Sequence, residues 1–187
     1  MSSEEQTPFQ RRIGERDVFR LAIRGHAMIE DLIDAGLRGA LIGGASSDIM
    51  KLQFSRRLEL ARSLGLIDAN TKRLVDELGR IRNEFAHGRT DDLRAERARA
   101  LVDPLKKVYP GLVGVTDNNP MANIDKSTPI EVLRSALMGG YVAVEAAFER
   151  AERERGERDA ALEAKRMQDA IRVTLSQMLE SREEASE

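Results

Sequence analysis

The chain has no cysteine and no tryptophan, and it carries only two histidines. The missing cysteine excludes disulfides, thiolate metal sites and cysteine nucleophiles. His26 and His87 alone do not build a multi-histidine metal centre, and the carboxylates show no calcium-loop spacing. No metal or cofactor is therefore expected. Aromatics make up only 4% of the chain and β-branched residues are sparse, which argues against strands. No apolar run reaches membrane-spanning length. The opening residues M-S-S-E-E-Q-T-P lack the basic start and apolar core of a signal peptide. A formal charge of −2 gives no global basic field of the kind that marks nucleic-acid binding. A cytoplasmic protein is expected.

What is present points to helices. Ala, Leu, Arg and Glu dominate, and 33% of the 187 residues are charged. This composition predicts an all-α protein. Residues 1–14 read as a disordered lead, 15–150 as one helical domain and 151–187 as a charged C-terminal helix or tail.

A first helix is predicted from about Glu15 to Leu37, where Val18, Leu21, Ala22, Met28, Ile29, Leu32, Ile33 and Leu37 form one apolar stripe. His26 and Glu30 share a face of it, and His26 is expected to be partly exposed. G-A-L-I-G-G-A-S-S then interrupts the pattern. It lacks the G-x-x-x-x-G-K-[ST] spacing of a phosphate loop and reads as a connection, with a short turn of helix around Asp48 to Leu52. Ser55 is the expected N-cap of a second helix that stops at Gly65. Leu66 and Ile67 fold back as an apolar plug, and Asp68 caps the next helix.

That third helix has the clearest pattern. Leu74, Leu78, Ile81 and Phe85 cluster within roughly 40° of one another at about 100° per residue. Asp76, Arg80, Asn83 and His87 fall on the opposite face, with Arg82 at the border. Residues 90–93 offer caps for a further helix to about Leu101, and Asp103-Pro104 reads as the start of another turn or two. Residues 110–127 form a long irregular loop. Thr128-Pro129-Ile130-Glu131 is a strong helix start, with threonine as cap and glutamate closing a capping box. Ile130, Leu133, Leu137, Tyr141, Val144 and Phe148 carry its buried face, and Gly139-Gly140 mark a close helix crossing. Beyond Phe148 the sequence is mostly charge. Ile171, Leu175 and Met178 form a thin seam suited to a protein partner's helix.

The chemistry-bearing stretch is R-N-E-F-A-H, Arg82 to His87, with Gly88 following at once. An arginine, an amide and an imidazole gathered at a helix terminus can bind and cleave a phosphodiester. Were that strand RNA, cleavage without metal would need a base for the 2′-hydroxyl, stabilisation of the phosphorane and an acid for the leaving oxygen. Histidine as a residue type titrates near neutrality, so His87 suits either proton role. Arg82 offers a permanently charged fork for the phosphate, and Asn83 fixes the imidazole or bonds the phosphate. One chain supplies one such histidine, so a two-fold homodimer would complete the site. Arg80 and Arg89 are candidates to track the RNA backbone, as are Arg56 and Arg57, which read better as surface charge. An alternative is equally open. Arg82 bonds the carboxylate of Glu30 or Asp31, Asn83 and His87 cap carbonyls at the helix end, and the group is only a polar seam.

R-N-E-F-A-H resembles the R-x4-6-H signature of HEPN domains in its R-N-x-x-x-H form. The wider span is similar to the mannitol-operon repressor family. The similarity rests on I-E-D-L-I-D, then F-S-R-R-L-E-L-A-R-S-L-G-L-I-D, then L-G-R-I-R-N-E-F-A-H, and it covers about residues 15 to 150. The charged region beyond 150 has no counterpart. The resemblance implies a HEPN-like bundle of four to six helices that dimerises through the motif face. It also implies one of two functions: a metal-independent endoribonuclease of a toxin, defence or stress system, or a catalytically silent regulator that acts in transcriptional control through protein–protein binding. The founding members of the repressor branch depart from the intact motif, whereas Arg82, Asn83 and His87 are all present here. A direct DNA-binding repressor is weaker, because no helix-turn-helix with a basic recognition helix is found.

Overall fold

The computed structural model describes residues 14–41, 48–88, 92–109, 124 and 127–184, with side chains as far as 169 and at 172. The protein is all-α, and no strand occurs among the described residues. Among the described residues five helices follow one another: α1 (Val18–Ala40), α2 (Phe54–Ser63), α3 (Ala69–Ala86), α4 (Ala95–Val108) and α5 (Pro129–Glu184). The glycine-rich connection after Leu41, the expected cap at 90 and 91, and most of the 110–127 loop lie outside the described residues. Contacts divide the chain into two units after Phe148.

In the first unit, α1 starts at Val18 rather than Glu15, because the Asp17 side chain accepts from Arg20 N–H at 2.9 Å and caps the helix there. Its buried face holds Leu21, Ala22, Ile29, Ile33 and Leu37 of the predicted stripe, while Val18, Met28 and Leu32 are half-buried. α2 begins one residue before the predicted Ser55. The Gln53 carbonyl accepts from Arg56 N–H at 2.9 Å, no side chain caps this end, and Ser55 lies inside the first turn. At the far end Gly65 adopts φ +71°, Leu66 N–H donates to the Ala61 carbonyl and Gly65 N–H to that of Arg62, both at 2.9 Å. This crossed pair satisfies carbonyls that the helix end would otherwise leave open. Leu66 and Ile67 are buried as the predicted plug, and Asp68 accepts from Thr71 N–H at 2.7 Å to start α3.

α3 buries Leu74, Val75, Leu78, Ile81 and Phe85. α4 corrects the prediction of two short pieces: it is one helix that passes through Pro104. A proline inside a helix costs about 3 kcal/mol. Here Ala98, Leu101, Val102 and Leu105 form one buried face across that position. Burial of each large side chain contributes roughly 1.5–3 kcal/mol, so continuing the face outweighs the lost hydrogen bond.

The start of α5 is as read. Glu131 accepts from Thr128 N–H at 2.7 Å and from its hydroxyl at 2.8 Å. Those bonds, with the Arg134 charge, hold the Glu131 carboxyl below its usual range. Leu133, Leu137, Val144 and Phe148 are buried, while Ile130 and Tyr141 are half-buried. The glycine pair does mark a close crossing. A Cβ on Gly139 would fall 2.5 Å from Leu105, and one on Gly140 would fall 3.3 Å from both Ile29 and Leu78. Two further glycines, on α1, work the same way. Gly25 admits Leu137 and Gly36 admits the Phe148 ring. Both residue numbers rise together, so α1 and this part of α5 run parallel. α1 and α3 run antiparallel, since Phe19 meets Phe85 while His26 meets Gly79.

The second unit, from Glu149 onward, is helical to Glu184 and mostly exposed over its described side chains. Leu162 and Met167 stand open to solvent. The seam side chains Ile171, Leu175 and Met178 lie outside those described. No described helix is long and apolar enough to cross a membrane.

Candidate functional site

The R-N-E-F-A-H residues occupy the last turn of α3 and its cap. His87 is the C-cap, and its N–H donates to the Asn83 carbonyl at 3.1 Å. Gly88 follows at φ +61° and donates to the Phe85 carbonyl at 3.0 Å. A left-handed backbone here suits glycine and ends the helix. Phe85 is buried and anchors the tip, with the Phe19 ring edge-on to it at 6.1 Å. Asn83 and His87 are exposed, and Arg82 is half-buried.

Arg82 Nη1 donates to Asn83 Oδ1 at 3.0 Å. The Asn83 amide oxygen thus faces the guanidinium. Among the described residues, no carboxylate ion-pairs with Arg82 or His87. The Arg82 charge acts on Glu30 only through space.

The polar-seam expectation therefore takes a different form. Arg57, read from sequence as surface charge, is the arginine that binds the α1 carboxylates. Its Nη2 lies 3.3 Å from Glu30 Oε1 and its Nε lies 2.8 Å from Asp34 Oδ1. It also donates to the Leu52 carbonyl at 3.0 Å and lies over the Phe54 ring, 5.7 Å from its centre. Asp34 takes the place foreseen for Asp31, which is exposed. The reason is helical phase. Asp34 is one turn on from Glu30, so the two carboxylates share the face that α2 covers, and Asp31 does not. Arg56 is exposed, as expected.

His26 corrects the expectation more sharply. It is 2% exposed and packs edge-on against Phe54 at 5.0 Å, with its Nδ1 3.7 Å from Glu30 Oε2. Neither ring nitrogen has a hydrogen-bond partner. The reason is Gly79 on α3. A Cβ there would lie 3.2 Å from His26 Nε2, and its absence lets the ring sit between the two helices. The Glu30 carboxyl is held below its usual range, most by its approach to His26 and then by the Arg57 and Arg82 charges against the opposing effect of burial. Burial pushes the Asp34 carboxyl up despite the Arg57 contact.

These groups border a cleft of about 620 Å³, lined by His26, Glu30, Gln53, Phe54, Ser55, Val75, Asp76, Gly79, Arg80, Arg82 and Asn83. Protein-family models, curated proteins and solved structures were compared with the chain, and none matches. The site therefore stands on its own geometry. Of the residues singled out in the sequence, Arg80, Arg82, Asn83 and Glu30 gather at this cleft, while His87 sits one turn beyond Asn83. Arg80 spends its charge on Glu77, at 2.6 Å. Arg89 lies outside the described residues. Gln53, Phe54, Ser55, Asp76 and Gly79 were not foreseen as lining, and only the i, i+4 spacing of His26 and Glu30 hinted at this side of α1. Among the described residues, no group of three His, Asp or Glu side chains is placed to hold a metal ion.

Proposed function

We propose that the chain is a HEPN-type endoribonuclease, related to the mannitol-operon repressor family, which cleaves RNA without metal at a site completed by a second copy of itself. One observation carries the reading: among the described residues, the Arg82 guanidinium is free of carboxylate partners beside a carboxylate-rich helix. Arg57 and His26 engage Glu30, and Arg57 engages Asp34, so Arg82 keeps its charge for an anion from outside. The resemblance of R-N-E-F-A-H to the HEPN signature gives that anion a chemistry, the phosphodiester.

In this reading one His87 takes the 2′-hydroxyl proton. The 2′-oxygen attacks phosphorus, and Arg82 with the Asn83 amide neutralises the charge that builds on the phosphorane oxygens. The P–O5′ bond breaks, and the partner's His87 protonates the departing oxygen. The products are a 2′,3′-cyclic phosphate and a 5′-hydroxyl. Two copies of the α3 tip related by a two-fold axis supply base and acid from one histidine per chain.

The test incubates the full chain with single-stranded RNA in EDTA, beside Arg82→Ala and His87→Ala, and identifies the product ends. Cyclic-phosphate ends that vanish in both variants support the nuclease. No cleavage by the wild-type chain under any condition ends that reading and leaves the silent regulator that binds a protein partner.

A further inference from the structure

We infer that the cleft beside Arg82 is a nucleobase pocket, which takes one unstacked base of the RNA strand whose phosphate Arg82 holds. This rests on the nuclease reading for its ligand class and goes beyond it in assigning base selectivity to residues outside the R-N-E-F-A-H motif. The cleft, at about 620 Å³, falls within the range of pockets that enclose small organic ligands. Its wall includes the half-buried ring of Phe54, a side-chain type on which bases stack. Its rim carries the side-chain amide of Gln53, a group that pairs with base edges. Gln53 starts α2, yet its side chain makes no capping bond there.

The floor supplies the independent observation. His26 lines the cleft, is 2% exposed, and leaves Nε2 without a hydrogen-bond partner. Buried polar atoms are rarely left so, because losing water without gaining a partner is costly. Glu30 lies on the Nδ1 side at 3.7 Å, and Nε2 faces Gly79. Gly79 lines the same cleft and has no side chain to cover that nitrogen. A base edge entering over Gly79, with a small rotation of the imidazole to open Nε2, would give that nitrogen the partner it lacks. No other lining residue except Val75 and Gly79 is without a polar or aromatic group, so the pocket has the mixed lining that reads a base rather than the dry lining that takes a lipid or an apolar side chain.

The test measures binding of four 2′-O-methyl tetranucleotides, one for each base, to the full chain by fluorescence anisotropy. The methyl group removes the nucleophile, so binding is read without cleavage. The expected result is discrimination of about tenfold or more between the tightest and weakest base. Gly79→Ala, which puts a Cβ 3.2 Å from Nε2, should abolish that discrimination. The His26 Nε2 ¹⁵N resonance, distinguished from that of His87 by the His87→Ala variant, should shift with the preferred base alone. Equal binding of all four bases, or discrimination that survives Gly79→Ala, overturns the pocket. The two proposals fail separately. Unselective cleavage sinks the pocket and keeps the nuclease, whereas selective binding without cleavage of natural RNA does the reverse.

Discussion

Arg57 Nη2 lies 3.3 Å from Glu30 Oε1, and through that contact α2 is fastened to α1 beside the motif. The same guanidinium reaches Asp34 at 2.8 Å, and its side chain is only 12% exposed. Removing it strands two partly buried carboxylates. Arg57→Ala is expected to lower unfolding free energy by about 2–4 kcal/mol, toward the cost of breaking a buried pair from one side. Urea denaturation at neutral pH checks this. A loss no larger than that of Arg56→Ala, an exposed neighbour, would return Arg57 to the surface-charge role.

Acid should reveal Glu30. Its folded carboxyl titrates below the ordinary 4.5, chiefly through His26, with help from Arg57 and Arg82. The ionised form is the one that the fold favours. Its contribution is therefore present above pH 4.5 and is lost as the pH falls through the lower folded value. Asp34 has the opposite sign. Its folded carboxyl lies above 3.8, so ionising it opposes folding, and protonation below that range relieves the opposition. Glu30→Gln should flatten the fall in stability between pH 5 and 3, measured as the urea midpoint, while Asp34→Asn should steepen it. If both variants keep the wild-type slope, neither carboxyl titrates as described.

Much of the fold is legible in local spacing. Leu74, Leu78, Ile81 and Phe85 announce the buried face of α3, Asp68 announces its N-terminal cap, and Thr128 with Glu131 announces the start of α5. Each of these is an i, i+3 or i, i+4 relation, fixed by helix geometry alone. The site is legible only in part, because its decisive relations join distant segments. Nothing near Arg57 in sequence tells that its partners are Glu30 and Asp34, and nothing near His26 tells that Gly79 leaves room for its ring. Pro104 illustrates a second limit. Local propensity says stop, and the burial of Leu101, Val102 and Leu105 on neighbouring helices says continue.

Helix packing around α1 depends on missing side chains. A Cβ on Gly36 would overlap the Phe148 ring. Gly36→Ala should gain helix propensity, about 1 kcal/mol, and lose more through overpacking, roughly 1–3 kcal/mol. Pairing it with Phe148→Leu tests the contact itself. The double variant should be more stable than the sum of the two single changes predicts, since the smaller side chain makes room for the methyl. Strict additivity in thermal unfolding would show that the two residues do not meet.

The two histidines are expected to behave as opposites, and the contrast separates chemistry from architecture. His87 is exposed at the end of α3, whereas His26 is enclosed by Phe54, Glu30 and Gly79. His87→Ala should leave unfolding free energy within about 0.5 kcal/mol of wild type, as for other exposed positions. Cleavage should nevertheless fall by roughly 10²-fold or more, the usual contribution of a proton-transfer group. His26→Ala should open a cavity between α1 and α3 and cost about 2 kcal/mol, less than a leucine at that depth because the ring nitrogens are unsatisfied to begin with. Measuring unfolding and RNA cleavage on both variants gives four numbers. A His87→Ala protein that loses stability and activity together would mean the imidazole supports the helix end, and the loss of cleavage would then say nothing about proton transfer.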